Sequence, residues 1–157
     1  MMTPCSASSR KEDSLIDREI AATRLSKLRE ALKRLKDLEQ DHDAYMQSAT
    51  DKDLAEHFLR LALEAALDTG NHVIAAKGLK KPLQLREIPL ILGENNIIPK
   101  KLADKLANAT GLRNRLVHLY TDIDHEIIFT VLQNDLSDLA EFAKEIGKLV
   151  DAESKKE

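Results

Sequence analysis

Apolar residues recur every three to four positions through most of the chain, the repeat of helices that turn one side to a core. Ile20, Leu25, Leu28, Leu32, Leu35 and Leu38 carry it first and predict a long helix from about Ser14 to Gln40. Leu54, Phe58, Leu61, Ala65 and Leu67 predict a second from about Asp51 to Lys77, ending near Gly78 with Pro82 just beyond. These two are expected to pair as an antiparallel hairpin. The next stretch, KKPLQLREIPLILGENNIIP, holds Pro82, Pro89, Gly93 and Pro99 and leaves room for one short helix, with Pro89 in its first turn.

Pro99 then opens a third long helix to about Tyr120, with Leu102, Leu106, Leu112 and Leu116 turned inward. Gly111 interrupts it at a cost of about 1 kcal/mol relative to Ala, so a close helix contact or a slight bend is expected there. TDIDHE predicts a turn with Asp122 or Asp124 as cap, and the apolar residues from Ile127 to Leu149 predict one final helix. The fold class is therefore all-α: a bundle of four long helices with one short insertion. Residues 1–13 and 151–157 are expected to be flexible tails around a single domain, 14–150. The chain has no internal repeat, glycine-rich phosphate loop or low-complexity tract.

Composition agrees with this and narrows the chemistry. At 157 residues the chain has the size of one domain. No apolar run is long enough to span a membrane, and the first residues lack a secretion signal, which leaves the cytoplasm as the expected compartment. Cys5 is the only cysteine, so an internal disulfide and a cysteine-based zinc site are both excluded. The net charge is −3, but residues 77–115 hold nine basic and three acidic side chains, giving that stretch +6 and the rest −9. A local phosphate-binding face is thus available on an otherwise acidic protein.

One segment concentrates reactive groups. GLRNRLVHLY, residues 111–120, places Arg113, Asn114, His118 and Tyr120 together in a chain with five histidines and two tyrosines. At about 100° per residue, and with Arg113 as zero, Tyr120 falls at about −20°, Val117 at about 40°, Asn114 at about 100° and His118 at about 140°. A cation, an imidazole and a phenol therefore share one side of the helix. Arginine and histidine suit cleavage of RNA: the 2′-hydroxyl must lose a proton, the leaving oxygen must gain one, and the phosphoryl charge must be stabilised. One histidine cannot readily perform both transfers at once, so a two-fold homodimer pairing two such helices is expected. Nothing in this scheme calls for a cofactor or divalent metal.

Arg113, four residues, His118, one residue, Tyr120 resembles the signature of the HEPN superfamily, and RNRLVHLYTDID resembles its HepT branch. LEAALDTGNHVI, residues 63–74, and ENNIIP, residues 94–99, are similar to two further segments of that branch in the same order, and the likeness covers about Asp17 to Val150. Pro89 and the long N-terminal segment depart from the pattern without touching the motif. The resemblance implies the toxin of a type VII toxin–antitoxin pair, a metal-independent endoribonuclease whose active site forms at a homodimer interface. Its partner is implied to be a minimal, MntA-like nucleotidyltransferase that neutralises the toxin by transferring AMP to the motif tyrosine. Arg113 and His118 would then be catalytic and Tyr120 the modified residue, with Asn114, Asn71 and His72 as supporting candidates beside the cleft. The alternative is a non-catalytic HEPN adaptor that binds a nucleotidyltransferase and helps to position its substrate. Among the other residues, His125 is expected at the start of the last helix, His42 and His57 show no partner at ligand spacing, and Tyr45 is expected in a loop.

Overall fold

A computed structural model describes the backbone of residues 3–38, 40–117 and 122–155, with side chains for residues 18–38, 40–117 and 122–152. These residues form helices only: α1 (Thr3–Lys36), α2 (His42–Gln47), α3 (Ala49–Ala76), α4 (Glu87–Glu94), α5 (Lys100–Val117), α6 (His125–Asn134) and α7 (Leu136–Lys155).

α1 and α3 make the most extensive pairing. Arg24 bonds Asp68 at 3.3 Å, and Arg34 lies 6.0 Å from the centre of the Phe58 ring. Numbers rise along α1 as they fall along α3, so the pair is antiparallel, as expected. Ala21, Leu25, Leu28, Ala31, Leu32 and Leu35 line its buried seam. α1 starts at Thr3 rather than near Ser14, so its backbone continues through residues expected to be a tail. On α3, Leu54 and Leu61 were expected in the core stripe, yet they are 38% and 37% exposed. The buried set on that helix instead includes Ala55, Leu59, Ala62, Leu63 and Ala66, small residues that allow close approach.

α4 is the short insertion, with Pro89 in its first turn. The Glu87 carboxylate accepts the backbone N–H groups of Leu83 and Gln84, which favours its charged form and holds its pKa below the usual carboxylate range. A Cβ on Gly70 would lie 2.7 Å from Ile88 Cγ2, so the approach of α4 to α3 depends on the missing side chain. Gly111 is different. A Cβ there meets nothing within 4 Å among the described residues, so the expected close contact is not made among them.

The single final helix is in fact two. α6 ends at Asn134 with Asp135 as its C-cap, and Leu136 begins α7. The apolar spacing runs unbroken from Ile128 and Leu132 to Leu136, Leu139, Ala143 and Ile146, all buried. Periodicity alone therefore hides the break, which falls at the polar pair Asn134 and Asp135. The cap expected at Asp122 or Asp124 is Asp124, whose carboxylate accepts the Glu126 N–H at 2.9 Å. α2 is the other unforeseen element. Asp41 caps its start, and Ser48 closes its end while capping α3.

Candidate functional site

α5 is held by Leu102, Ala103, Leu106, Ala107 and Leu116 on its buried side. That anchoring turns Arg113, in its last turns, toward the middle of α3. Arg113 Nη2 lies 3.6 Å from Glu64 Oε1, and Nη1 donates to Asn114 Oδ1 at 3.2 Å. Glu64 also meets Arg60, one turn back on α3, at 3.5 Å. One carboxylate thus sits between two guanidinium groups. The Arg113 side chain is 27% exposed, while its Nε is buried with no acceptor among the described residues. The stem is packed and the fork remains accessible, a geometry suited to presenting a cation for bidentate contact with an anion.

The other candidates divide. Asn114 is exposed beside Arg113. His118 and Tyr120 lie outside the described residues. Asn71 is exposed and His72 half-buried on α3, about 10 Å along the axis from Glu64 at 1.5 Å per residue. Glu64, rather than Asn71 or His72, is the α3 residue that meets Arg113. The apolar pattern does not single it out, although it lies within LEAALDTGNHVI, and the available signal is its spacing of four from Arg60. Leu61 and Val117, on the two helices joined by the Arg113–Glu64 pair, are 37% and 39% exposed.

A second cluster fixes the far end of the motif segment. Tyr45 was expected in a loop, but it belongs to α2 and is fully buried. Its Oη lies 2.9 Å from His125 Nδ1, and His125 Nε2 lies 3.6 Å from Glu56. Burial raises the pKa of Tyr45, with Glu56 and Asp51 adding to the rise, so the phenol stays protonated beside the imidazole. His42, for which no partner was foreseen, meets Glu126 at 2.7 Å and Asp43 at 3.2 Å, and its pKa is raised by those two bonds in that order. His125 is the first residue of α6, as expected. The segment holding His118 and Tyr120 thus runs from α5, anchored by Leu116, to an α6 start pinned by Tyr45, Glu56 and His42.

No group of three or more His, Cys, Asp or Glu among the described residues could hold a metal ion. No helix among them is long and apolar enough to cross a membrane. The nine basic residues of the middle stretch are spread from the end of α3 through the connection to α4 and along α5, where Lys105 reaches Asp138 at 3.5 Å.

The profile of the HepT-like ribonuclease family matches residues 28–146. The chain belongs to that family. The match takes in the C-terminal end of α1, the whole of α2 to α6, the motif segment between α5 and α6, and the first half of α7. Among its relatives, the mRNA nuclease HepT of Shewanella oneidensis is 29% identical over 124 residues, covering 79% of this chain and 93% of the relative. The tRNA nuclease HepT of Aphanizomenon flos-aquae is 32% identical over 133 residues, covering 84% and 90%. A solved structure of the tri-AMPylated Shewanella oneidensis HEPN toxin in complex with an MNT antitoxin superimposes with a TM-score of 0.76 at 29% identity, covering 82% of this chain and 97% of that one. The HepT-like fold thus extends across nearly the full length of these relatives.

Proposed function

We propose that this protein is the toxin of a toxin–antitoxin pair, a metal-independent endoribonuclease acting in the cytoplasm as a homodimer. The observation that carries the reading is the coincidence of a HepT-like family match over residues 28–146 with an Arg113 fork held accessible at the end of α5. In this reading Arg113 binds the scissile phosphate and stabilises its developing charge. His118 transfers the proton to or from the reacting oxygens. A second copy supplies the second histidine, and the exposed Leu61 and Val117 beside the Arg113–Glu64 pair suit such a contact.

The partner in this reading is a minimal nucleotidyltransferase that adds AMP to Tyr120. The named relatives, nucleases of mRNA and of tRNA, support RNA as the substrate class. The test is cleavage of total RNA by purified protein in the presence of a chelator, beside Arg113→Ala and His118→Ala. Loss of cleavage in both variants with unchanged helicity is the expected result. Wild-type cleavage by His118→Ala overturns the assignment, and an inert wild-type protein that still binds its nucleotidyltransferase favours the adaptor.

A further inference from the structure

The acidic part of the sequence folds into a basic groove. Arg29, Lys33 and Lys36 follow one another at four- and three-residue spacing on α1 and face Lys144 and Lys148 of α7 across an open cleft of about 500 Å³. Asp151 is the one carboxylate in the lining, so the groove carries +4 in a chain of net charge −3. Sequence alone does not show this, because the two cationic rows lie more than a hundred residues apart and outside the basic middle stretch.

Part of the groove is built rather than incidental. Arg29 lies against α7 so closely that a Cβ on Gly147 would be 2.8 Å from its Nη2, which also donates to the Ala143 carbonyl at 3.5 Å. The guanidinium is thereby held by a backbone carbonyl. Among the described residues, Lys33, Lys36 and Lys144 have no ion pair, and Lys148 has only a 3.9 Å approach to Glu145. The floor, Leu32 and Ala143, is apolar and offers no aromatic face for a base.

Cations about one helical turn apart, roughly 5–6 Å along each helix, suit a ligand with repeated negative charges rather than a single anion. The absence of aromatic and amide groups in the lining argues against reading bases. We propose that the α1–α7 groove binds the phosphodiester backbone of single-stranded RNA without regard to sequence, holding the strand beyond the site at Arg113. This rests on the ribonuclease reading for its substrate class. The groove raises the affinity for long RNA and makes that affinity strongly dependent on salt, since each neutralised phosphate releases counterions.

The test uses full-length protein and a fluorescent 2′-O-methyl RNA of about 20 nucleotides, about one to two single-strand site sizes long, which cannot be cleaved. Binding is followed by anisotropy across a salt series. Lys33→Glu/Lys144→Glu is expected to weaken binding at least tenfold at low salt and to reduce the slope of log K against log salt by about 1.4, or about 0.7 for each lost phosphate contact. Lys27→Glu/Lys52→Glu, an equal charge change outside both the groove and the basic middle stretch, is expected to retain most of the affinity. Equal losses in both doubles would show a bulk charge effect and overturn the proposal, as would unchanged binding in both. A groove variant that keeps RNA affinity but no longer co-purifies with its nucleotidyltransferase overturns it too and assigns the groove to that protein. Because the RNA is uncleavable, these outcomes do not depend on whether His118 is catalytic.

Discussion

Arg113 and Glu64 meet at 3.6 Å across the α3–α5 contact, and Glu64 is shared with Arg60. Both side chains are about one-third exposed, so the pair contributes only about 0–1 kcal/mol to stability. Its consequence is positional. In the proposed role of Arg113, the carboxylate sets the direction of the fork, and Arg60 is placed to compensate Glu64 when the fork turns to a phosphate. Glu64→Ala is therefore expected to leave the melting temperature nearly unchanged and to lower kcat on RNA roughly tenfold, the scale of loss from a slightly misplaced cation. Glu64→Gln, which keeps an acceptor oxygen, is expected to recover most of the rate. A full-rate Glu64→Ala enzyme excludes the positioning role.

Tyr45 and His125 are the buried counterpart of that pair. Tyr45→Phe preserves the ring and its packing on Phe129 but removes the O–H that bonds His125. Loss of one largely buried hydrogen bond, with its partner left unsatisfied, costs about 1–2 kcal/mol. For a chain of this size that lowers Tm by about 3–6 °C, measurable by calorimetry. An unchanged Tm means that water replaces the hydroxyl.

His42 adds a dependence on pH. Its pKa is raised above 6.5, chiefly by the bond to Glu126 and next by that to Asp43. The protonated imidazole is thus favoured in the folded state. Its contribution is fully present below the unfolded value and is lost as pH rises through the folded one. The stability difference between wild type and His42→Asn is expected to be larger near about pH 6 than near about pH 9, measured by urea unfolding at both. A difference that grows with pH contradicts the assignment.

Two glycines give opposite expectations. Gly70→Ala drives a methyl to 2.7 Å from Ile88 Cγ2, and overpacking of this kind costs about 1–3 kcal/mol. Gly111→Ala meets nothing within 4 Å among the described residues and gains up to about 1 kcal/mol of helix propensity. Thermal unfolding at high dilution separates them. A destabilised Gly111→Ala protein refutes the open-space reading.

The features legible in the sequence are those written in short stretches of chain. The hairpin of α1 and α3, the short α4 and the Asp124 cap each rest on local signals: spacing, proline and a capping side chain. The break at Asp135 escaped because the apolar period continues through it. α2 escaped because six residues are too few for a period to show. At the site, Arg113 could be picked out by residue type, whereas Glu64 could not, since its role depends on how α5 crosses α3. The basic groove is the extreme case: its two rows meet only through the packing of the first helix on the last.

Tyrosine modification is the remaining prediction, and burial sharpens it. The chain has two tyrosines, and Tyr45 is fully buried with its hydroxyl bonded to His125. A nucleotidyltransferase cannot reach that oxygen without unfolding α2, so Tyr120 is the expected acceptor of AMP. Modification replaces a neutral phenol with a bulky phosphodiester bearing negative charge. Tyr120 follows Arg113 by seven residues in the sequence, and in the proposed mechanism the new charge competes for the guanidinium and repels incoming RNA. Tyr120→Phe removes the acceptor oxygen and is expected to escape neutralisation while keeping the ring. Co-expression of wild type with its nucleotidyltransferase, followed by mass analysis of the peptides carrying positions 45 and 120, is the measurement. AMP on the peptide of Tyr120 alone is the expected result. An unmodified Tyr120 in a fully neutralised protein would mean that inhibition works by binding, and the adenylylation proposal would fall.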